Sequence, residues 1–194
     1  MTLRRAAVLG AGVALLGAGG GGAVAALRTP ARAHTALPEL HGQASWAPGA
    51  RPAPTAGLRG HTSVVTFMDP RCTSECPVEG RQLASVLRRL PAASRPTIVM
   101  VSVNPGATPR DAAHATASWG LAPFRTRWVL GTHASLAPVW RKYRVAVRPV
   151  QGDIEHTLVL YLVDRRGDER TAYLFPFLQS FVQQDLTTLA RERA

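Results

Sequence analysis

The chain contains only two cysteines, and three residues separate them in Asp69-Pro70-Arg71-Cys72-Thr73-Ser74-Glu75-Cys76-Pro77. A thiolate is both a nucleophile toward disulfides and a soft metal ligand, so a close pair supports either a reversible disulfide or the holding of a soft metal ion. The three-residue gap leaves a wider loop than a redox C-x-x-C pair has, a modest lean toward metal. Pro77 and Glu79 mark the first turn of a helix that begins near Cys76, where unpaired N–H groups and the positive dipole end favour a thiolate. The Cys76 pKa is therefore expected below that of a free thiol, with Arg71 adding positive potential.

A metal needs a third ligand, and among the six histidines His156 is the best placed. It closes the polar stretch Gln151-Gly152-Asp153-Ile154-Glu155, directly ahead of an apolar run that starts at Thr157. Two thiolates and one imidazole make a three-coordinate set suited to Cu(I), whereas structural zinc takes four protein ligands. Glu155 and Asp153 are near enough in sequence to complete a zinc site or to orient the imidazole. Two plainer alternatives stay open: a structural Cys72–Cys76 disulfide, and a His156 that is an ordinary polar loop residue. His34 and His41 fall in a Pro-rich stretch, and His61, His114 and His133, like them, are expected on the surface.

Positioning such a site takes buried strands alternating with amphipathic helices, and the pattern from residue 58 onward supplies them. Ser63–Met68 is a β-rich run that stops at the Asp69-Pro70 turn. Leu83, Val86, Leu87 and Leu90 then give one apolar helical face, ended by Pro91. Residues 97–103 read as a second buried strand, 111–119 and 135–143 as helices, the latter with Pro138 in its first turn, and 127–130 as a short strand between them. Residues 157–163 form the third strong strand, Arg165-Arg166-Gly167-Asp168 a turn, 171–174 its hairpin partner, and 180–191 a last helix. Trp119, Trp128, Trp140 and Phe124 lie in apolar faces and are expected in the core. The order β-α-β-α-β-α-β-β-α, with the cysteines at the first strand-to-helix junction, predicts an α/β, thioredoxin-like three-layer fold with a central mixed sheet. In such a sheet the loop entering the 157–163 strand faces the cysteine loop, which brings His156 toward the thiols.

Residues 6–27 carry no charged or strongly polar side chain and follow Arg4 and Arg5, the layout of an export signal. As a helix they reach about 33 Å, enough for a hydrocarbon core of about 30 Å. Gly19-Gly20-Gly21-Gly22 weakens such a helix, and Ala23-Val24-Ala25 and Ala31-Arg32-Ala33 each offer a signal-peptidase site. Residues 1–33 are thus a signal peptide or a membrane anchor, and either places the rest of the chain outside the cytoplasm. Residues 34–57, rich in Ala, Pro and Gly, read as an extended linker, which leaves 58–194 as one folded domain. The net charge of +11 comes from dispersed arginines without an aromatic-interleaved basic block, which argues against nucleic acid as a partner.

From residue 58 to the C-terminus the sequence resembles the Sco/SenC copper chaperones of cytochrome oxidase assembly. The likeness runs in order through Val64-Val65-Thr66-Phe67, Cys72 and Cys76 with Pro77, Val101-Ser102-Val103-Asn104-Pro105, and Thr108-Pro109. It continues through Trp128 with Leu130-Gly131-Thr132, Glu155-His156-Thr157 and Tyr161-Leu162-Val163-Asp164-Arg165-Arg166-Gly167. The resemblance implies that Cys72, Cys76 and His156 bind copper, as Cu(I) and also as Cu(II). It implies further that the cysteines cycle through a disulfide opened by a thioredoxin-type reductant, and that the client is the copper site of cytochrome c oxidase subunit II. The sequence departs from the family at Thr73, where many members have Pro, and at Asp69-Pro70-Arg71, where they have an aromatic or Thr-rich turn. Asn104 stands where Asp is usual. A strand–turn–strand expected before Leu58-Arg59-Gly60 is missing, which predicts a lost edge hairpin.

The expected function is an exported, secreted or membrane-anchored copper chaperone without catalytic turnover. Its first rival is a thiol–disulfide oxidoreductase in which Cys72 attacks and Cys76 resolves, and its second an extracellular interaction domain with a structural bridge. His156 separates the first two, because disulfide exchange does not need it.

Overall fold

Apolar runs that alternate between two faces become the inner strands of one sheet. The computed structural model describes residues 40–44 and 59–192, all within the unit Leu37–Ala194. The elements are β1 (Gln43–Ala44), β2 (Ser63–Met68), α1 (Glu75–Arg89), a 3-10 turn (Ala92–Ser94), β3 (Thr97–Ser102), α2 (Pro109–Ser118) and β4 (Thr126–Val129). They continue as α3 (His133–Lys142), β5 (Val147–Val150), β6 (Asp153–His156), β7 (Val159–Val163), β8 (Glu169–Leu174) and α4 (Gln179–Arg191).

The sheet order is β1-β8-β7-β2-β3-β4. β2, β3 and β4 run parallel, while β7, β8 and β1 join antiparallel, so the sheet is mixed as expected. Every residue of β2, β3 and β7 is buried, because helices cover both faces. Val64, Met68, Ile98, Met100, Leu160 and Leu162 pack with the apolar sides of α1 and α4. Val65, Phe67, Val99, Val101 and Tyr161 meet Leu136 and Trp140 of α3 on the other face. The strand period of two thus builds both halves of the core. Trp119 and Trp140 are buried and Trp128 and Phe124 partly so, in line with their apolar settings.

Three local expectations are corrected. α3 starts at His133, so Pro138 lies inside the helix and not in its first turn; lacking an N–H, it leaves the Ala134 carbonyl without its usual partner. The stretch read as a polar loop before His156 is half of a hairpin, β5 pairing with β6 from Val147↔His156 to Val150↔Asp153. Its two-residue turn has positive φ at Gln151 (45°) and Gly152 (88°), the combination that fits the right-handed twist of paired strands. Within the segment read as linker, Gln43–Ala44 adds an edge strand to β8. Asp185 of α4 anchors it, accepting from the His41 and Gly42 N–H groups at 2.9 and 3.0 Å and from the Tyr173 hydroxyl. Residues 45–58, where the family hairpin was sought, lie outside the described residues, as does the expected signal or anchor helix. Among the described residues no helix is long and apolar enough to cross a membrane.

Candidate metal centre

β2 delivers the chain to a turn built on the buried Asp69. Its carbonyl accepts from the Cys72 N–H at 3.1 Å, and its carboxylate accepts from the Arg71 N–H at 2.9 Å. Asn104, from the loop after β3, donates its amide to both Asp69 oxygens at 3.1 and 3.0 Å. Two departures from the family pattern therefore compensate each other. An aspartate at position 104 would set two carboxylates face to face, whereas the amide completes the turn that carries Cys72.

The turn folds Cys72 back over the start of α1. Ser74 is the N-cap residue but makes no side-chain cap; its hydroxyl instead lies 3.4 Å from Cys72 Sγ and meets Glu75. The hydrogen bond from the Cys76 thiol is the main cause that draws the Cys72 pKa down to about 5, assisted by Ser74 and by the N–H groups of Cys76 and Ser74 against partial burial. The Cys76 pKa moves the opposite way, up, because its thiol donates to Cys72, is buried, and feels the Cys72 charge. The expectation that Cys76 is the acidic thiol is thus reversed. As second residue of α1, Cys76 points into the core at 1% exposure, and it is Cys72 that takes the anion seat at the helix terminus. Arg71 is also corrected: its guanidinium engages Asp111 at 2.9 Å and the Gly106 carbonyl at 2.6 Å, not the thiols. Both cysteines are free thiols.

His156 ends β6, and its Nε2 stands 3.6 Å from Cys76 Sγ. Nδ1 lies 3.1 Å from the Thr157 carbonyl, which can only accept, so Nδ1 carries the proton and the Nε2 lone pair faces the thiols. Burial lowers the His156 pKa, opposed first by that carbonyl, and the imidazole is neutral. A thiolate sulfur at about 2.3 Å and an imidazole nitrogen at about 2.0–2.1 Å from a shared metal sit about 3.6–3.8 Å apart, so Cys76 and His156 are already spaced as co-ligands. Cys72, held at Ser74 and the helix terminus, is their neighbour but not yet their third partner. Among the described residues no three His, Cys, Asp or Glu side chains form a ready-made cage. The expected contribution of Glu155 and Asp153 fails: Glu155 pairs with Arg148 across the exposed hairpin, and Asp153 accepts from the Ile154 N–H at 2.7 Å. His41, His61, His114 and His133 are exposed as expected, and His34 lies outside the described residues.

Glu79, expected as a helix-start acid, is fully buried one turn beyond Cys76. Thr66 donates to its Oε1 at 2.7 Å, and burial pushes its pKa up to about 7. The only sequence signal was Thr66, a polar residue inside an apolar run.

A strand-to-helix turn that presents one acidic and one buried thiol to an oriented imidazole, on this mixed sheet, defines a thioredoxin-like thiol–imidazole protein. The chain matches the SCO1/SenC family over residues 50–191 and belongs to that family. Similar solved structures include Arabidopsis thaliana ScoI with copper bound, at 18% identity and a TM-score of 0.60, covering 70% of this chain and 88% of that one. Bradyrhizobium japonicum ScoI with copper bound is 24% identical with a TM-score of 0.56, covering 68% and 87%. BsSco, described through a disulfide switch and as a member of the Sco family of cytochrome c oxidase assembly proteins, is 18% identical with a TM-score of 0.60, covering 70% and 84%. These likenesses show the fold. Comparison with curated proteins gives no match.

Proposed function

We propose that this protein is an extracytoplasmic copper chaperone that carries one Cu(I) on Cys72, Cys76 and His156 and delivers it to the copper site of cytochrome c oxidase subunit II. The observation that carries this is the His156 ring, fixed by Thr157 so that Nε2 faces Cys76 at 3.6 Å. Disulfide exchange does not require an imidazole there, while a soft cation draws on its lone pair directly. The donor set fits copper: two sulfurs and one nitrogen, completed when Cys72 rotates off Ser74. Family membership and the copper-bound ScoI structures support the same reading, and BsSco supports the oxidase as client.

Anaerobic titration of the reduced full-length chain against a chromogenic Cu(I) chelator should give one tightly held equivalent, lost when Cys72 and Cys76 are oxidised to the disulfide. Equal, weak binding in both redox forms would overturn it. The location rests on residues 6–27 behind Arg4 and Arg5, whether they are cleaved or kept as the membrane anchor. A reporter that works only in the cytoplasm, fused after Ala194, should stay silent, and a strong signal would sink export.

One observation favours a second reading, a thiol–disulfide oxidoreductase served by a thioredoxin-type reductant. The accessible, acidic Cys72 beside a buried, non-acidic Cys76 is the division expected of an attacking and a resolving thiol.

A further inference from the structure

A groove of about 400 Å³ opens beside Cys72 between the cysteine turn and α2, and neither Cys76 nor His156 lines it. Its walls include Arg71, Cys72, Arg110, His114 and Trp119. Trp119 is a rigid wall, 3% exposed, and packed so closely on α1 that a Cβ on Gly80 would lie 2.9 Å from its Cβ. The one acidic lining residue, Asp111, is already held by Arg71 at 2.8 Å and by the Thr108 N–H and hydroxyl at 2.8 and 2.7 Å. Arg110 and His114, one helical turn apart and both exposed, have no hydrogen bond, ion pair or ring contact among the described residues. The groove therefore presents an uncompensated cation, a second ring-nitrogen donor or acceptor, and a single sulfur.

We propose that this groove is a subsite for an anionic small-molecule thiol or its disulfide, with Arg110 and His114 taking the carboxylate and the ligand sulfur lying against Cys72. Its volume falls in the range of small-molecule sites, about 300–1,000 Å³. The chemistry balances with the bound disulfide as oxidant. The Cys72 thiolate attacks one ligand sulfur, forming a mixed disulfide and expelling the other half as a thiolate. Cys76, passing its proton to the facing His156 Nε2 at 3.6 Å, then attacks Cys72 Sγ, closing Cys72–Cys76 and releasing the second half as a thiolate. Two cysteines are oxidised and one disulfide is reduced. None of these steps involves copper, so failure of the subsite leaves the chaperone reading standing.

The test follows thiolate release from bis(nitrobenzoate) disulfide, which is dianionic, and from dipyridyl disulfide, which is neutral, on the reduced full-length chain at low salt. In wild type the rate with the anionic probe should saturate with concentration. Arg110→Glu should slow that probe about tenfold and Arg110→Ala about threefold, with the neutral probe unchanged. Arg141→Glu, the same charge change on the exposed end of α3 across the sheet, should slow the anionic probe much less. A linear concentration dependence, or equal effects of Arg110→Glu and Arg141→Glu, would overturn the proposal, since encounter would then be governed by overall charge. Loss of reactivity toward both probes in both Arg110 variants would overturn it as well, by making Arg110 a support of the cysteine turn.

Discussion

Replacing His156 with alanine is expected to weaken Cu(I) binding by at least about 100-fold, because loss of even an outer partner of a metal ligand costs about 10–100-fold and His156 is proposed as a ligand itself. The same substitution should leave the Cys72–Cys76 disulfide able to form and to be reduced, since both cysteines are placed by the Asp69 turn and α1 and not by the hairpin. The hairpin itself should survive, its β5–β6 pairing being made by backbone groups. Competitive Cu(I) titration of wild type, Cys72→Ser, Cys76→Ser and His156→Ala would report this, with disulfide reduction followed in parallel. Each of the three variants should lose affinity, because a soft cation draws on all three donors together. Equal affinity in wild type and His156→Ala would remove the imidazole from the site and transfer preference to the disulfide enzyme.

The central strands and the cysteine turn were legible because their signals are local. Ser63–Met68 is bounded by Asp69-Pro70, and its residues alternate between two cores, so register and end are both written in neighbouring residues. The β5–β6 hairpin was hidden by its composition. Pro149 interrupts β5, and the turn is Gln151-Gly152 where Asn-Gly or Asp-Gly is the usual signal, although Ile154 and His156 do alternate with Asp153 and Glu155. Pro138 misled for a related reason. A proline suits a first helical turn on statistics, but here Leu136, Ala137 and Trp140 hold the surrounding turns against the sheet.

His156 stands beside Cys76, and Cys76 hydrogen-bonds Cys72, yet the electrostatics between them were not readable. Which cysteine becomes acidic depends on which side chain points over the helix terminus and which points into the core, a direction that spacing alone does not give. The group that sets the His156 tautomer is a backbone carbonyl, at Thr157, and it leaves no side-chain signature. The Asp69–Asn104 pair joins positions 35 residues apart, so two substitutions that look like separate departures in sequence form one contact in space.

The division between the thiols has a sharp consequence for pH. Cys72 has its folded pKa lowered to about 5, so its thiolate should persist as pH falls from neutral and be lost only through about pH 5. Thiolate nucleophilicity declines with pKa along a Brønsted slope of about 0.4–0.5, which for a depression of about 3.5 units from about 8.5 costs roughly 40-fold in intrinsic rate. Near neutral pH the gain in thiolate fraction, about 30-fold, nearly cancels that loss, and Cys72 should alkylate at about the rate of a free thiol. At pH 5 the gain is about 1,600-fold and wins, so alkylation by iodoacetamide should run about 40-fold faster than for a free cysteine peptide. Cys76, raised by its hydrogen bond to Cys72 and by burial, should react far more slowly throughout. The same sign governs copper. Above about pH 5 only Cys76 still holds a proton to release, so Cu(I) affinity should rise about tenfold per pH unit toward neutral, and more steeply below pH 5 where Cys72 is protonated too. Rate–pH curves with mass-spectrometric assignment of the alkylated cysteine would measure the first part. Two thiols titrating at or above about 8.5 would refute the Cys72 anion seat, and a copper affinity flat between pH 5 and neutral would show that Cys76 is not a ligand.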